Sequence, residues 1–153
     1  MTKFLSLALS LCLALTFQAL PARENAPPTG FTLVFSGDPV TMEAGRISFL
    51  IRNSTGRDAQ ILLIPRLERP DGDGGWEEVP FLERVGFCGT ADPLPAGDRE
   101  CSIEPFELWG ALEDGVYRLS YEITAGDGTR TTAQGEFSLH LDLQICGYPL
   151  AGS

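Results

Sequence analysis

Lysine is nearly absent. Of the 11 basic residues in this 153-residue chain, Lys3 is the one lysine and the other ten are arginines, set against 21 Asp and Glu. A chain with a net charge of −10 repels nucleic acid and anionic lipid, so functions that begin by neutralising phosphates are excluded. Histidine also occurs once, at His140. It lies between Leu139 and Leu141 on an alternating stretch, which turns it away from a core, and nothing marks Ser138 or Asp142 as its partners in a Ser-His-Asp relay.

No Cys-x-x-Cys knuckle occurs, so Cys88, Cys101, Cys146 and His140 have ligand chemistry without the spacing of a zinc site. No stretch beyond the first 20 residues keeps apolar side chains at helical spacing over three turns, and no segment repeats at a fixed period. With no nucleophile, base or metal set to assign, neither a cofactor nor a catalytic site is expected.

What is present begins with an N-terminal leader. Lys3 is followed by the uncharged run Leu5 to Leu20, which stops at Leu20-Pro21-Ala22 before the polar Arg23-Glu24-Asn25. This is the pattern of a signal peptide over residues 1–22, cleaved after Ala22. The run of about 16 residues is shorter than the roughly 20 a spanning helix needs. Cys12 follows the bulky Leu11 in mid-run, which argues against acylation there. Cleavage would remove Lys3 and leave ten arginines against 21 acids, a net charge of −11. Residues 23–29 then read as a spacer, 30–145 as one domain and 146–153 as a tail.

Export makes disulfides tenable. Cys88 and Cys101 bracket a Gly- and Pro-containing stretch, and a bond between them would contribute about 3 kcal/mol in the chain-entropy model. Cys146 would then be a free thiol, although the sequence also admits its pairing with either of the others.

The domain reads as strands: Phe31 to Phe35, Ile47 to Ile51, and Ala59 to Pro65, the last apolar on both faces as a central strand would be. A hairpin turning through Pro70 to Gly75 returns at Trp76. Arg99 to Phe106 follows, with Cys101 and Ile103 on one face. Val116 to Thr124 alternates Tyr117, Leu119, Tyr121 and Ile123 with polar residues, and a final strand carries Phe137, Leu139, Leu141, Leu143 and Ile145 at period two. About seven or eight short strands separated by Gly, Pro and Asp imply an all-β, two-sheet sandwich, with a closed barrel as the alternative.

The spacing Leu112-x-x-Gly115-x-Tyr117 is that of a tyrosine corner: leucine in the core, glycine at the turn, phenol bonded to upstream backbone. The hairpin tip Asp71-Gly72-Asp73-Gly74-Gly75 with Glu77 and Glu78 imitates a calcium loop, but position twelve, the bidentate acid of such a loop, is Leu82. It is read as a polar turn.

Four stretches occur in a telling order: Ile51-Arg52-Asn53-Ser54 ending a strand, Gly74-x-Trp76-x-x-x-Pro80 in the hairpin, Leu94-Pro95-Ala96-Gly97 before a strand, and the corner with Arg118 after it. Together, from about Phe31 to Leu141, the chain resembles the bacterial immunoglobulin-like domains of exported proteins. The resemblance implies a Greek-key immunoglobulin-like β-sandwich with structural roles for Trp76, Leu112, Gly115 and Tyr117. Leu119 stands where antibody-type domains carry a core cysteine, a departure from that subgroup. Asn53-Ser54-Thr55 fits a glycosylation acceptor, but the bacterial resemblance makes a turn the plainer reading. The function implied is a non-enzymatic protein-interaction or structural module of the bacterial envelope, partner unknown. The alternative is a protease inhibitor presenting the stretch from Gly89 to Glu100.

Overall fold

The computed structural model describes residues 30–40 and 42–141. The leader (1–22), the spacer (23–29), Leu143, Ile145 and Cys146 lie outside the described residues. Eight strands and one short helix follow in the order β1 (Phe31–Phe35), β2 (Ile47–Asn53), β3 (Ala59–Pro70), β4 (Trp76–Glu78), β5 (Ala91–Leu94), β6 (Gly97–Ile103), α1 (Pro105–Trp109), β7 (Gly115–Thr124) and β8 (Arg130–Leu139). Among the described residues no helix is long and apolar enough to cross a membrane.

The strands are ordered β4-β3-β7-β8-β1-β2-β6, with β5 also on β3. This path folds into two layers, and it passes from one to the other between β8 and β1. β1 pairs antiparallel with β2 from Phe31↔Asn53 to Phe35↔Phe49, and parallel with β8 at Thr32↔Gln134. The approach depends on Gly135, where a Cβ would lie 2.6 Å from the Leu33 carbonyl oxygen. One layer is therefore β4-β3-β7-β8 and the other β1-β2-β6, the arrangement of an immunoglobulin-like Greek-key sandwich.

Alternation builds the core between the layers. Ile47, Phe49 and Ile51 from β2 face Tyr117, Leu119, Tyr121 and Ile123 from β7, all buried, and the Phe49 and Tyr121 rings stack across the layers at 6.0 Å. Ile47, Ile51, Ile61 and Ile123 are fully buried, each stabilising the fold by about 1.5–3 kcal/mol relative to exposure.

Four local features differ from the sequence reading. The last strand ends at Leu139, so that Leu141 lies beyond it. β3 runs on to Pro70 and breaks register, because Leu62 pairs with Glu122 but Arg66 with Ser120. Residues 63–65 thus bulge opposite Tyr121 alone, and Leu63 is 39% exposed rather than packed on the second face of a central strand. The strand expected from Arg99 to Phe106 ends at Ile103, since Pro105 starts α1, where its fixed φ and missing N–H suit a first helical position. Finally, Ala91–Leu94 is a strand on β3. Its Pro93 is tolerated because β5 is an edge.

Candidate functional site

Among the described residues, the bulge and the end of the second layer leave one side of the sandwich open. β6 pairs with β2 from Ile47↔Ile103 to Asn53↔Gly97 and ends the strand order on its other side. Between β6 and β3 lies a groove of about 600 Å³ lined by Leu63, Pro65, Phe87, Cys101, Leu108 and Tyr121 among others. Its apolar wall exists because the bulge turns Leu63 outward and because α1 brings Leu108 to the end of β6.

A strap over residues 79–90 crosses this side from β4 to β5. Val79 N–H donates to the Leu67 carbonyl at 2.8 Å, and Leu82 N–H to the Leu108 carbonyl at 2.9 Å. Phe81 anchors it, stacked on Trp109 at 5.4 Å and tilted against Phe87 at 4.8 Å. Trp109 Nε1 is buried with no hydrogen-bond partner among the described residues.

The rim is charged but largely self-neutralised. Arg46 Nη2 lies 2.7 Å from Glu104 Oε1, and Arg84 Nη2 lies 3.3 Å from Glu107 Oε2. Arg99 links the two layers, donating from Nη1 to the Pro93 carbonyl at 3.0 Å while Nη2 lies 3.2 Å from Asp92 Oδ2. Exposed pairs of this kind contribute about 0–1 kcal/mol each; their effect is on which groups a visitor to the groove meets. Inside it, burial pushes the Cys101 thiol above its ordinary value against the opposing pull of Arg99. Burial also pushes the Tyr121 phenol up, with Cys101 adding to the shift. Neither is a poised nucleophile at neutral pH.

The residues singled out from sequence fall in two places. Tyr117 makes the corner geometry: its hydroxyl donates to the Glu113 carbonyl at 2.9 Å and accepts from Glu113 N–H at 3.2 Å. Leu112 is buried beside it, and Gly115 opens β7 opposite Leu139. Trp76 lies under the Arg118 guanidinium, 4.5 Å from the ring centre, while Arg118 Nε donates to Glu68 Oε2 at 2.8 Å. These are framework positions.

Cys101 lines the groove. The expected bond to Cys88 is not formed in the structure, where both are free thiols, Cys88 exposed and Cys101 half-buried. Cys146 lies outside the described residues.

His140 is exposed and pairs with Asp114, whose Oδ2 lies 2.7 Å from Nδ1 while Oδ1 accepts from Leu141 N–H at 2.7 Å; Asp142 lies outside the described residues. Three of the hairpin-tip acids are similarly occupied. Asp71 Oδ1 accepts from the N–H groups of Asp73 and Gly75, Glu77 pairs with Arg69 and Glu78 with Arg66. Among the described residues no three His, Cys, Asp or Glu converge as a metal site.

Asn53 is 2% exposed. Its amide nitrogen donates to the carbonyls of Arg57, Leu94 and Pro95, and its oxygen accepts from the Thr55 N–H and hydroxyl, so it is a turn-fastening residue whose nitrogen is inaccessible to a glycan. The stretch from Gly89 to Glu100 is built into the sheets through β5 and β6. Sequence reading missed Leu63, Phe87 and Leu108. The run Leu62-Leu63-Ile64-Pro65 carries no separate signal for them, since a stretch apolar on both faces suits a buried central strand and a bulged one alike.

No family model matches the chain, and no curated protein matches it. Among solved structures it is similar to the ApaA protein of Bordetella pertussis, at 18% identity over 76% of this chain and 99% of that one, with a TM-score of 0.40. It is also similar to the human CEP192 ASH / PapD-like domain, PapD-like domain 7, at 15% identity over 82% and 94%, with a TM-score of 0.36. The fold assignment rests on strand order and register.

Proposed function

We propose that this chain is an exported, non-enzymatic interaction module of a bacterial envelope that takes an extended segment of a partner protein against the outer edge of β6. The observation that carries the reading is the terminal position of β6 in the strand order beside an apolar groove. An edge strand offers a row of backbone donors and acceptors, and the neighbouring apolar wall supplies side-chain selection, the two components of recognition by strand addition. The absence of a convergent acid, base or nucleophile in that groove favours binding over chemistry.

Leu63 and Val116 are both 39% exposed, one on the groove wall and one on the outer face of β7, so they form a matched pair of test positions. Leu63→Glu puts a charge on the wall at little cost to the core, and Val116→Glu puts the same charge elsewhere. In a pull-down from envelope extract, whatever wild type retains specifically should be retained by Val116→Glu and lost by Leu63→Glu. Equal retention by both variants would remove the groove from the interaction. Recovery of a protease that is inhibited on titration would favour the inhibitor reading instead.

A further inference from the structure

We infer that the segment added to β6 alternates basic and apolar residues: an apolar side chain opposite Cys101 enters the groove, and the neighbouring residue, opposite Glu100, is an arginine or lysine. The inference rests on the strand addition proposed for β6 and specifies its ligand.

Register decides which backbone groups of β6 are open. Ser54 N–H donates to the Gly30 carbonyl at 2.8 Å, one step beyond Phe31↔Asn53 in the same antiparallel register. Bonded pairs recur at every second residue of such a ladder, so Arg52 and Leu50 turn their backbone groups to β1, and Ile51 and Phe49 turn theirs to β6. Phe49 faces Cys101 and Ile51 faces Arg99, which commits the backbones of Cys101 and Arg99 to β2. The N–H and C=O groups of Asp98, Glu100 and Ser102 therefore point to the open edge.

Side chains alternate between the faces of the layer. Asp98, Glu100 and Ser102 are exposed, Arg99 and Cys101 half-buried and Ile103 buried. A strand added to β6 inherits this alternation, because directly opposite residues share a face. Its groove-facing residue falls at Cys101. One step away Arg99 closes the inward level by bridging to Asp92 and the Pro93 carbonyl, and on the other side Ile103 is already packed in the core. At Cys101 the groove walls are Leu63, Phe87 and Leu108. Tyr121 also lines it. This residue is 5% exposed, and its hydroxyl makes no hydrogen bond among the described residues, which leaves a donor for a visiting group.

Charge selects the outward residue. Asp98 is held by Arg52 through bonds of 2.9 and 3.0 Å, and Ser102 is neutral. Glu100 has no ion pair among the described residues, so a basic side chain directly across from it supplies the counter-charge. The same carboxylate disfavours a second copy. Two β6 edges paired antiparallel so that all three open residues bond would set Glu100 against Glu100. Residues 142–153 carry no Arg or Lys, so the chain's own C-terminal segment lacks the required charge.

The test uses capped synthetic peptides of seven residues, the length of β6. One alternates arginine with valine, a second has glutamate in place of arginine, and a third has the composition of the first with its arginines grouped at one end. Added to the full chain, the first should slow hydrogen exchange at the Glu100 and Ser102 amides and leave the β2-bonded Cys101 amide unchanged. The glutamate peptide should bind about five-fold more weakly, the grouped peptide should not protect the edge, and Glu100→Arg should reverse the order of the first two. Edge protection with equal affinity for the arginine and glutamate peptides would overturn the inference and keep strand addition. Binding without edge protection, or no binding, would overturn both. Edge protection in concentrated protein without peptide would assign the edge to a second copy. The wild-type comparison decides even if Glu100→Arg fails to fold.

Discussion

Both hydrogen-bonding capacities of the Tyr117 hydroxyl serve one residue, donating to the Glu113 carbonyl and accepting from its N–H. The ring beneath is 5% exposed and stacks on Phe137 at 5.9 Å, so the phenol ties the turn that enters β7 to the core. Tyr117→Phe keeps the ring and removes both bonds. Leaving these backbone groups unpaired should cost roughly 1–3 kcal/mol, read as a lower denaturant midpoint with an unchanged slope; a midpoint equal to wild type would show the corner to be ornamental. Asn53 has the same character at the opposite end of the sandwich, where one buried amide fastens the turn after β2 to the turn between β5 and β6. Arg118, between Glu68 and the Trp76 ring, adds a cation–π contact of about 0.5–2 kcal/mol that fixes β4 against β7 as well as β3.

At the scale of elements, legibility follows periodicity. Strict alternation in β1, β2 and β7 states which apolar side chains are buried, with Ser120 the buried polar exception in β7, and the sequence reading places those strands within two residues of their ends. The corner was equally legible, because glycine and tyrosine at that spacing have one geometric use. β5 was not, since four residues containing Asp92 and Pro93 have no strand signal and form one through pairing with β3. The β3 bulge was hidden because a run apolar on both faces suits a buried central strand and a bulged one alike, and only the partner register separates them. The groove, which depends on that bulge and on α1, was therefore invisible from sequence. The hairpin tip was read as a turn, and its bonding gives the physical reason: Asp71 is engaged by two backbone N–H groups, and Glu77 and Glu78 by arginines. A specific ligand at a hundred times its dissociation constant would stabilise the fold by about 2.7 kcal/mol. Millimolar calcium at fixed ionic strength should leave the thermal midpoint within error of the calcium-free value. A rise that disappears in the Asp71→Ala, Asp73→Ala double variant would reassign the tip as a calcium site.

For the molecule as a whole, charge and export make a joint prediction that either property alone would not. Ten arginines and no lysine beyond residue 3 give the domain a cationic complement that cannot be titrated or acylated under ordinary conditions, since guanidinium stays protonated and is a poor nucleophile at neutral pH. Its arginines are used structurally, pairing with acids across β2 and β6, β3 and β4, and β5 and β6. If residues 1–22 are removed on export, the primary amine left between Arg23 and Ser153 is the new α-amine of Arg23. Denatured protein recovered from the envelope or medium and treated with excess amine-selective reagent should therefore gain one label per molecule. Protein retaining the leader carries the Lys3 amine in addition to its α-amine, and unless that terminus is blocked it gains two. An N-terminal peptide beginning at Arg23 and bearing the label would fix the cleavage site. A peptide in which Lys3 carries the label would overturn the leader reading, and with it the assignment of this acidic sandwich to the cell envelope.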